Sequence, residues 1–280
     1  MLAYNKNRLN AWINGQMVED TADMGLITPD EKINILKEYT SGFFNPKTIV
    51  RIGLGFGALV ACSMFTSLVG LILFSESGAL LFTIGSIYLV ILEHLISKRL
   101  HFRSGIDDIL LYQAYGLLLG ASMFFFKTVD SPELIISATG TLLAALATIR
   151  YADRIMAFCA FLGLIIFTGF LADRINKDFN VHLPFVFLMI SLLTWYISRK
   201  LSFRPALVHY RHCFEFMQVT ALAMAALFSN YYFVREIWFK MALSKTPDPS
   251  FWKWFYIVMT ILLPLVTIIT GFTAKDKIRI

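Results

Sequence analysis

Residues 154–172 read RIMAFCAFLGLIIFTGFLA: one charged residue at the first position, then eighteen uncharged and mostly apolar ones. A helix rises about 1.5 Å per residue, so this block is long enough to cross a hydrocarbon core of about 30 Å. Seven more blocks of the same kind lie at approximately 52–74, 79–97, 108–126, 132–149, 182–198, 213–234 and 254–273. The fold class follows: an all-α, polytopic membrane helix bundle of about eight transmembrane helices. Composition agrees. The 280 residues are 57% hydrophobic and 16% charged, with mean hydropathy +0.65, whereas soluble domains run near 45–50% and about 25%. That excludes an ordinary soluble enzyme, a disordered chain and a nucleic-acid-binding domain. The first partner is the lipid bilayer, and no nucleic acid is expected.

Lysine and arginine placement sets the orientation. With the N-terminus in the cytoplasm and eight crossings, eighteen of the 25 basic residues fall on the cytoplasmic side and seven on the other. Both termini are therefore expected in the cytoplasm, on a cytoplasmic (inner) membrane. The net charge of +6 reflects this bias and attraction to anionic headgroups. No apolar leader precedes the first span, which is expected to act as its own insertion signal. Cys62, Cys159 and Cys213 lie in or beside apolar blocks and read as small buried hydrophobes. Phe251, Trp252 and Trp254 open the last block as an interfacial belt. Arg235 to Ala242 is expected to lie in the interface, ahead of Pro247 and Pro249.

Residues 1–47 differ in kind: they are polar, of mixed charge, and periodic. Leu9, Trp12, Ile13 and Met17 recur at helical spacing, and Gly25 reads as the stop. Thr28-Pro29-Asp30-Glu31 is a helix start, with Thr28 as N-cap, Pro29 at N1 and Glu31 closing a capping box. The expectation is a cytoplasmic helical hairpin over 1–47, joined to a transmembrane domain over 48–280. The hairpin is too short to bury a core of its own. It should dock on the membrane domain, on a protein partner, or on a second copy in a homo-oligomer.

The run Gly25-Leu26-Ile27-Thr28-Pro29-Asp30-Glu31, followed by Ile35, Leu36, Tyr39 and a multi-span region, resembles an uncharacterised family of predicted bacterial membrane proteins. Their N-terminal segment also has a tryptophan-bearing helix, a Gly-Leu-Ile-Ser/Thr-x-x-Glu turn and a second helix. The likeness covers about 30 residues. It implies a bacterial cytoplasmic-membrane setting and supplies neither an activity nor catalytic residues.

Ile96-Ser97-Lys98-Arg99-Leu100-His101-Phe102-Arg103 recurs 101 residues later as Ile197-Ser198-Arg199-Lys200-Leu201-Ser202-Phe203-Arg204. Five of the eight positions are identical, and two more exchange lysine with arginine. Each copy closes a span, the second and the sixth. A duplicated four-helix unit accounts for this, with halves 48–150 and 151–280. An even number of spans per half makes a 4+4 parallel repeat, an arrangement known in transporters.

Ionisable residues inside a membrane are costly and usually functional. Here they gather near the basic ends of the spans: Glu93 and His94 in the second, Asp107 and Asp108 opening the third, and His209, His212 and Glu215 opening the seventh. If a helix begins near Ala206, the last three share roughly one face, and together they could hold zinc or a similar metal. A metal-bound water would then serve hydrolysis. Glu93 could carry a coupling proton, with Arg99, Arg103, Arg211 or His212 as its partner. Gly53, Gly55 and Gly57 form GxGxG inside a span, which reads as close helix packing. Polar lining deep in the spans is modest: Ser86, Tyr88, Ser122, Thr139, Thr141 and Thr168. That scarcity speaks against a highly charged substrate. The reading that follows is an integral membrane protein, favoured as a transport or permeation protein for a small solute. A membrane-embedded metal-dependent hydrolase and a non-catalytic scaffold are the alternatives. The sequence leaves the cofactor unknown.

Overall fold

Helix α1 (Lys6–Asp23) starts where the Asn5 side chain accepts from the amides of Asn7 and Arg8. It stops in a Schellman turn: Gly25, at φ +72°, donates to the Ala22 carbonyl, and Leu26 donates to that of Thr21. Helix α2 (Pro29–Glu38) opens with the capping box read from the sequence. The Glu31 amide donates to Thr28 Oγ1, and the Thr28 amide donates to Glu31 Oε2 at 2.8 Å. The computed structural model describes residues 2–39, 42–73, 77–175, 182–234 and 250–274. Arg235 to Ala242 and the two prolines after it lie outside the described residues. Described residues contain no strand, and the chain forms two compact units.

The first unit, Met1–Pro132 with Leu146–Tyr151, holds α1 and α2, then α3 (Thr48–Leu73), α4 (Gly78–Lys98), α5 (Ile106–Phe125) and the last turns of α6 (Pro132–Tyr151). Helix α5 packs along α4 and touches α3. A Cβ on Gly78 would meet the Ala121 carbonyl at 3.1 Å, and one on Gly85 would meet that of Ala114 at 3.3 Å. Seven residues on α4 match seven on α5, so two glycines set an antiparallel close approach. The GxGxG run does not serve this purpose. Nothing stands within 4 Å of a Cβ on Gly53 or Gly57, while Gly55 faces Gly105 at 3.5 Å. Helix α3 is held to α4 by Tyr88, whose hydroxyl donates to the Cys62 carbonyl and pairs with Thr66 Oγ1.

The N-terminal module docks on this unit. Phe102 is 5% exposed because three rings cover it: Tyr4 and Phe43 at 5.0 Å and Trp12 at 4.9 Å. The Arg103 guanidinium lies over the Trp12 and Phe102 rings. The Phe44 amide donates to the Leu100 carbonyl, and the Phe44 carbonyl accepts from the Phe102 amide. Farther back, the Ala3 amide donates to the Arg150 carbonyl at 2.8 Å. Leu9 is buried, whereas Met17 and Ile33 remain exposed.

The second unit, Glu133–Ala145 with Ala152–Ile280, holds the first turns of α6, then α7 (Arg154–Ile175), α8 (Leu183–Ser202), a 3-10 segment (Pro205–Tyr210), α9 (Arg211–Ser229) and α10 (Ser250–Ala274). Its core joins Phe161 and Ile165 of α7, Phe187 and Leu188 of α8, and Ala221, Ala225 and Phe228 of α9. A Cβ on Gly163 would stand 2.6 Å from Thr141 Oγ1, so α6 and α7 meet at a bare glycine. Thr260 ties α10 to the end of α9: it accepts from the Tyr231 amide, and its hydroxyl, which donates to the Tyr256 carbonyl at 2.7 Å, also lies 3.2 Å from the Ser229 carbonyl. Internally the two units follow one plan, since α9 packs on α8 and α7 as α5 packs on α4 and α3.

Among the described residues seven helices are long and apolar enough to cross a membrane, and Lys253–Ile269 is a shorter apolar helix. The chain is an all-α polytopic bundle and an integral membrane protein. The seventh span differs most from the sequence reading. The seventh span begins at Pro205 as a 3-10 turn, and it stops at Ser229 because Asn230 is extended.

Candidate functional site

Glu93 sits in the next-to-last turn of α4, and Arg150 and Tyr151 end α6. The Arg150 guanidinium forks the carboxylate, Nε to Oε1 at 2.9 Å and Nη2 to Oε2 at 3.0 Å, and the Tyr151 hydroxyl donates to Oε1 at 2.9 Å. A bidentate arginine and a phenol thus hold Glu93 as an ion pair. The partners are not those suggested by the nearby loop, because Arg103 is stacked on Trp12. Arg150 lies 57 residues away in sequence, beyond any periodicity signal. His94 is exposed on the next face of α4.

Asp107 and Asp108 lie in the first turn of α5, where the helix dipole favours carboxylates. Asp108 receives the Arg51 guanidinium from α3. Asp107 is 3% exposed, and its Oδ1 accepts from the Ser104 amide at 2.8 Å and hydroxyl at 2.9 Å. His101 Nδ1 in turn contacts the Ser104 hydroxyl at 2.8 Å. This sequence of bonds stiffens the α4–α5 turn. Gly105 completes that turn at φ +90°, where a Cβ would stand 2.3 Å from the Arg51 carbonyl. Glu93 and Asp108 therefore serve as ties between helices, and Asp107 fixes the turn ahead of its own helix.

The grouping expected for a metal is not formed. Among the described residues no three of His, Cys, Asp and Glu stand close enough to hold an ion. His209, His212 and Glu215 do not share one continuous helix: His209 belongs to the 3-10 segment, broken at Leu207 (φ −113°, ψ 18°), and α9 begins only at Arg211. Glu215 Oε1 accepts from Arg211 Nε at 2.9 Å.

The polar side chains inside the spans are likewise engaged. Ser86, Ser122, Thr139, Thr141 and Thr168 each donate to a carbonyl three or four residues back on their own helix. Tyr88 is 3% exposed and bonded to α3.

A different feature of the second unit was not singled out by sequence reasoning. A cleft of about 840 Å³ is lined by the end of α8, the 3-10 segment, α9 and α10, a size ordinary for small-molecule sites. Arg199, Arg204 and Arg211 line one end. Leu222, Ala226 and Leu263 line the rest. Phe203, the repeat counterpart of the covered Phe102, stands at the cleft 78% exposed. No family model, curated protein or solved structure matches the chain. The assignment of function therefore rests on geometry. The signal in the sequence was present but divided: the three arginines read as orientation determinants, and the alanines of α9 as ordinary span.

Proposed function

We propose that this integral membrane protein is a transport or permeation protein for a small amphiphilic solute, anionic at one end and apolar along its body. The observation that carries the reading is the cleft along α9, basic at one end and mostly apolar beyond it, with Gln218 and Thr267 as its polar residues there. The engagement of the span hydroxyls with their own helices agrees with it, since a hydrated path for ions needs polar groups turned to the lumen. The basic bias of the loops supports a cytoplasmic membrane with both termini inside. The hydrolase alternative lacks a gathered ligand set among the described residues.

Cysteine accessibility tests the reading. Single cysteines replace Gln218, Ala223 or Ala226 in a chain freed of its three native cysteines and reconstituted in vesicles. A charged, membrane-impermeant thiol reagent is applied from either face. Labelling at Ala226→Cys from both faces, on the same preparation, is expected of a permeation protein. Labelling at Gln218→Cys alone, from one face only, would make the cleft a dead end and favour a scaffold.

A further inference from the structure

The length of the cleft can be set against the bilayer. Its α9 wall runs from Arg211 to Ala226, which at 1.5 Å per residue is about 22 Å. Half of a ~30 Å hydrocarbon core is about 15 Å, and the headgroup zone adds some 5–7 Å on each side. The cleft is therefore about one leaflet deep. Charge follows the same axis. Arg199, Arg204 and Arg211 sit at one end, with Glu215 the acidic residue beside them, already held by Arg211. The excess of two positive charges falls where a lipid headgroup would lie. Beyond it the α9 wall is Val219, Leu222, Ala223 and Ala226, one face at helical spacing. The small alanines leave room for a chain. On the α10 side the wall is Leu263, Pro264 and Thr267.

We infer that this cleft binds one anionic phospholipid of a single leaflet, its phosphate on Arg199, Arg204 and Arg211 and an acyl chain along α9 between Val219 and Ala226. The inference rests on the cleft being the solute site proposed above, and it names the solute class. Basic pockets between transmembrane helices recognise anionic headgroups in this way, and arginine is suited to phosphate because its planar fork donates two parallel hydrogen bonds. A zwitterionic lipid brings an ammonium group to the same end and loses the charge match. Inorganic phosphate gains the arginines but leaves the apolar wall unfilled.

The test uses the full chain, stripped of lipid in dodecyl maltoside, and pyrene-labelled phosphatidylglycerol as probe, read by energy transfer from tryptophan. Unlabelled phosphatidylglycerol, phosphatidylcholine, dodecyl phosphate and inorganic phosphate compete. Phosphatidylglycerol is expected to compete at least tenfold better than phosphatidylcholine, and inorganic phosphate not at all in the millimolar range. Arg204→Gln should cost at least fivefold in affinity for phosphatidylglycerol while leaving phosphatidylcholine unchanged. Ala226→Trp should weaken both, and Ala223→Leu provides the same test if the tryptophan variant does not fold. Equal competition by the two phospholipids, indifference to Arg204→Gln, or displacement by inorganic phosphate would each overturn the inference. Dodecyl phosphate displacing the probe better than phosphatidylglycerol would overturn it in favour of a single-chain, soluble amphiphile. The thiol-labelling pattern is independent of these titrations. Lipid binding with one-sided labelling overturns transport alone, and two-sided labelling without lipid selectivity overturns the lipid assignment alone.

Discussion

Arg150 holds two connections at once: its guanidinium forks Glu93, and its carbonyl accepts the Ala3 amide. Lysine cannot reproduce the fork. Arg150→Lys should therefore destabilise the protein by about 1 kcal/mol, a modest figure because the pair is partly exposed. Arg150→Met should cost more, because it leaves Glu93 charged with the Tyr151 hydroxyl in place of its counter-ion, and adding Glu93→Gln should return part of the loss. Thermal unfolding in detergent measures all three. Gly105 offers a sharper contrast. Gly105→Ala forces a side chain into a positive φ and against the Arg51 carbonyl, so a loss above about 2 kcal/mol is expected. Gly57→Ala, with open space around it, should be nearly neutral in the same assay.

The spans and the two caps could be read in advance because their signals are local. Apolar length, a Thr-x-x-Glu box and a glycine stop all lie within a few residues of what they determine. Pairings were not legible in that way. Nothing near Glu93 announces Arg150, and nothing near Phe102 announces Tyr4 and Trp12, because each partner is set by tertiary packing. The α2 cap makes a prediction with a definite sign. Hydrogen bonds from the Thr28 backbone and side chain hold the Glu31 carboxyl below its ordinary value. Its contribution to α2 is therefore complete above the unfolded value of about 4.3 and is lost as pH falls through the lower folded value. In the full chain labelled with 15N-threonine, the Thr28 amide resonance should shift with a midpoint below that of an ordinary glutamate. In Glu31→Gln that shift should vanish. The docking of α1 gives another test. Phe102→Ala removes the ring on which three others converge, a change typically worth about 3–5 kcal/mol for a buried aromatic. Limited proteolysis should then cut within residues 1–39 several times faster. Phe203→Ala, at an exposed ring, should not change that rate.

For the whole molecule, each unit packs one helix against the two before it, and the motif that closes α4 reappears at the end of α8. The two copies have different fates. Phe102 is covered by the N-terminal module, while Phe203 is left at the mouth of the cleft. Duplication followed by divergence would account for this, one half having kept a fitted cover and the other an opening. The charge bias adds a prediction at this scale: cysteines placed at Thr128 and Phe203 should be labelled from opposite faces of intact vesicles. The bond from Ala3 to Arg150 also bears on how the protein is made. A ribosome adds about 5–20 residues per second, so the first residues wait on the order of ten seconds before their acceptor has even been synthesised. Until Phe102 has been made α1 has no seat, and Leu9 and Trp12 stand open to any chaperone or protease near the insertion site. The latch closes only after the fourth apolar helix has been made, and its closure joins the N-terminal segment to the end of α6.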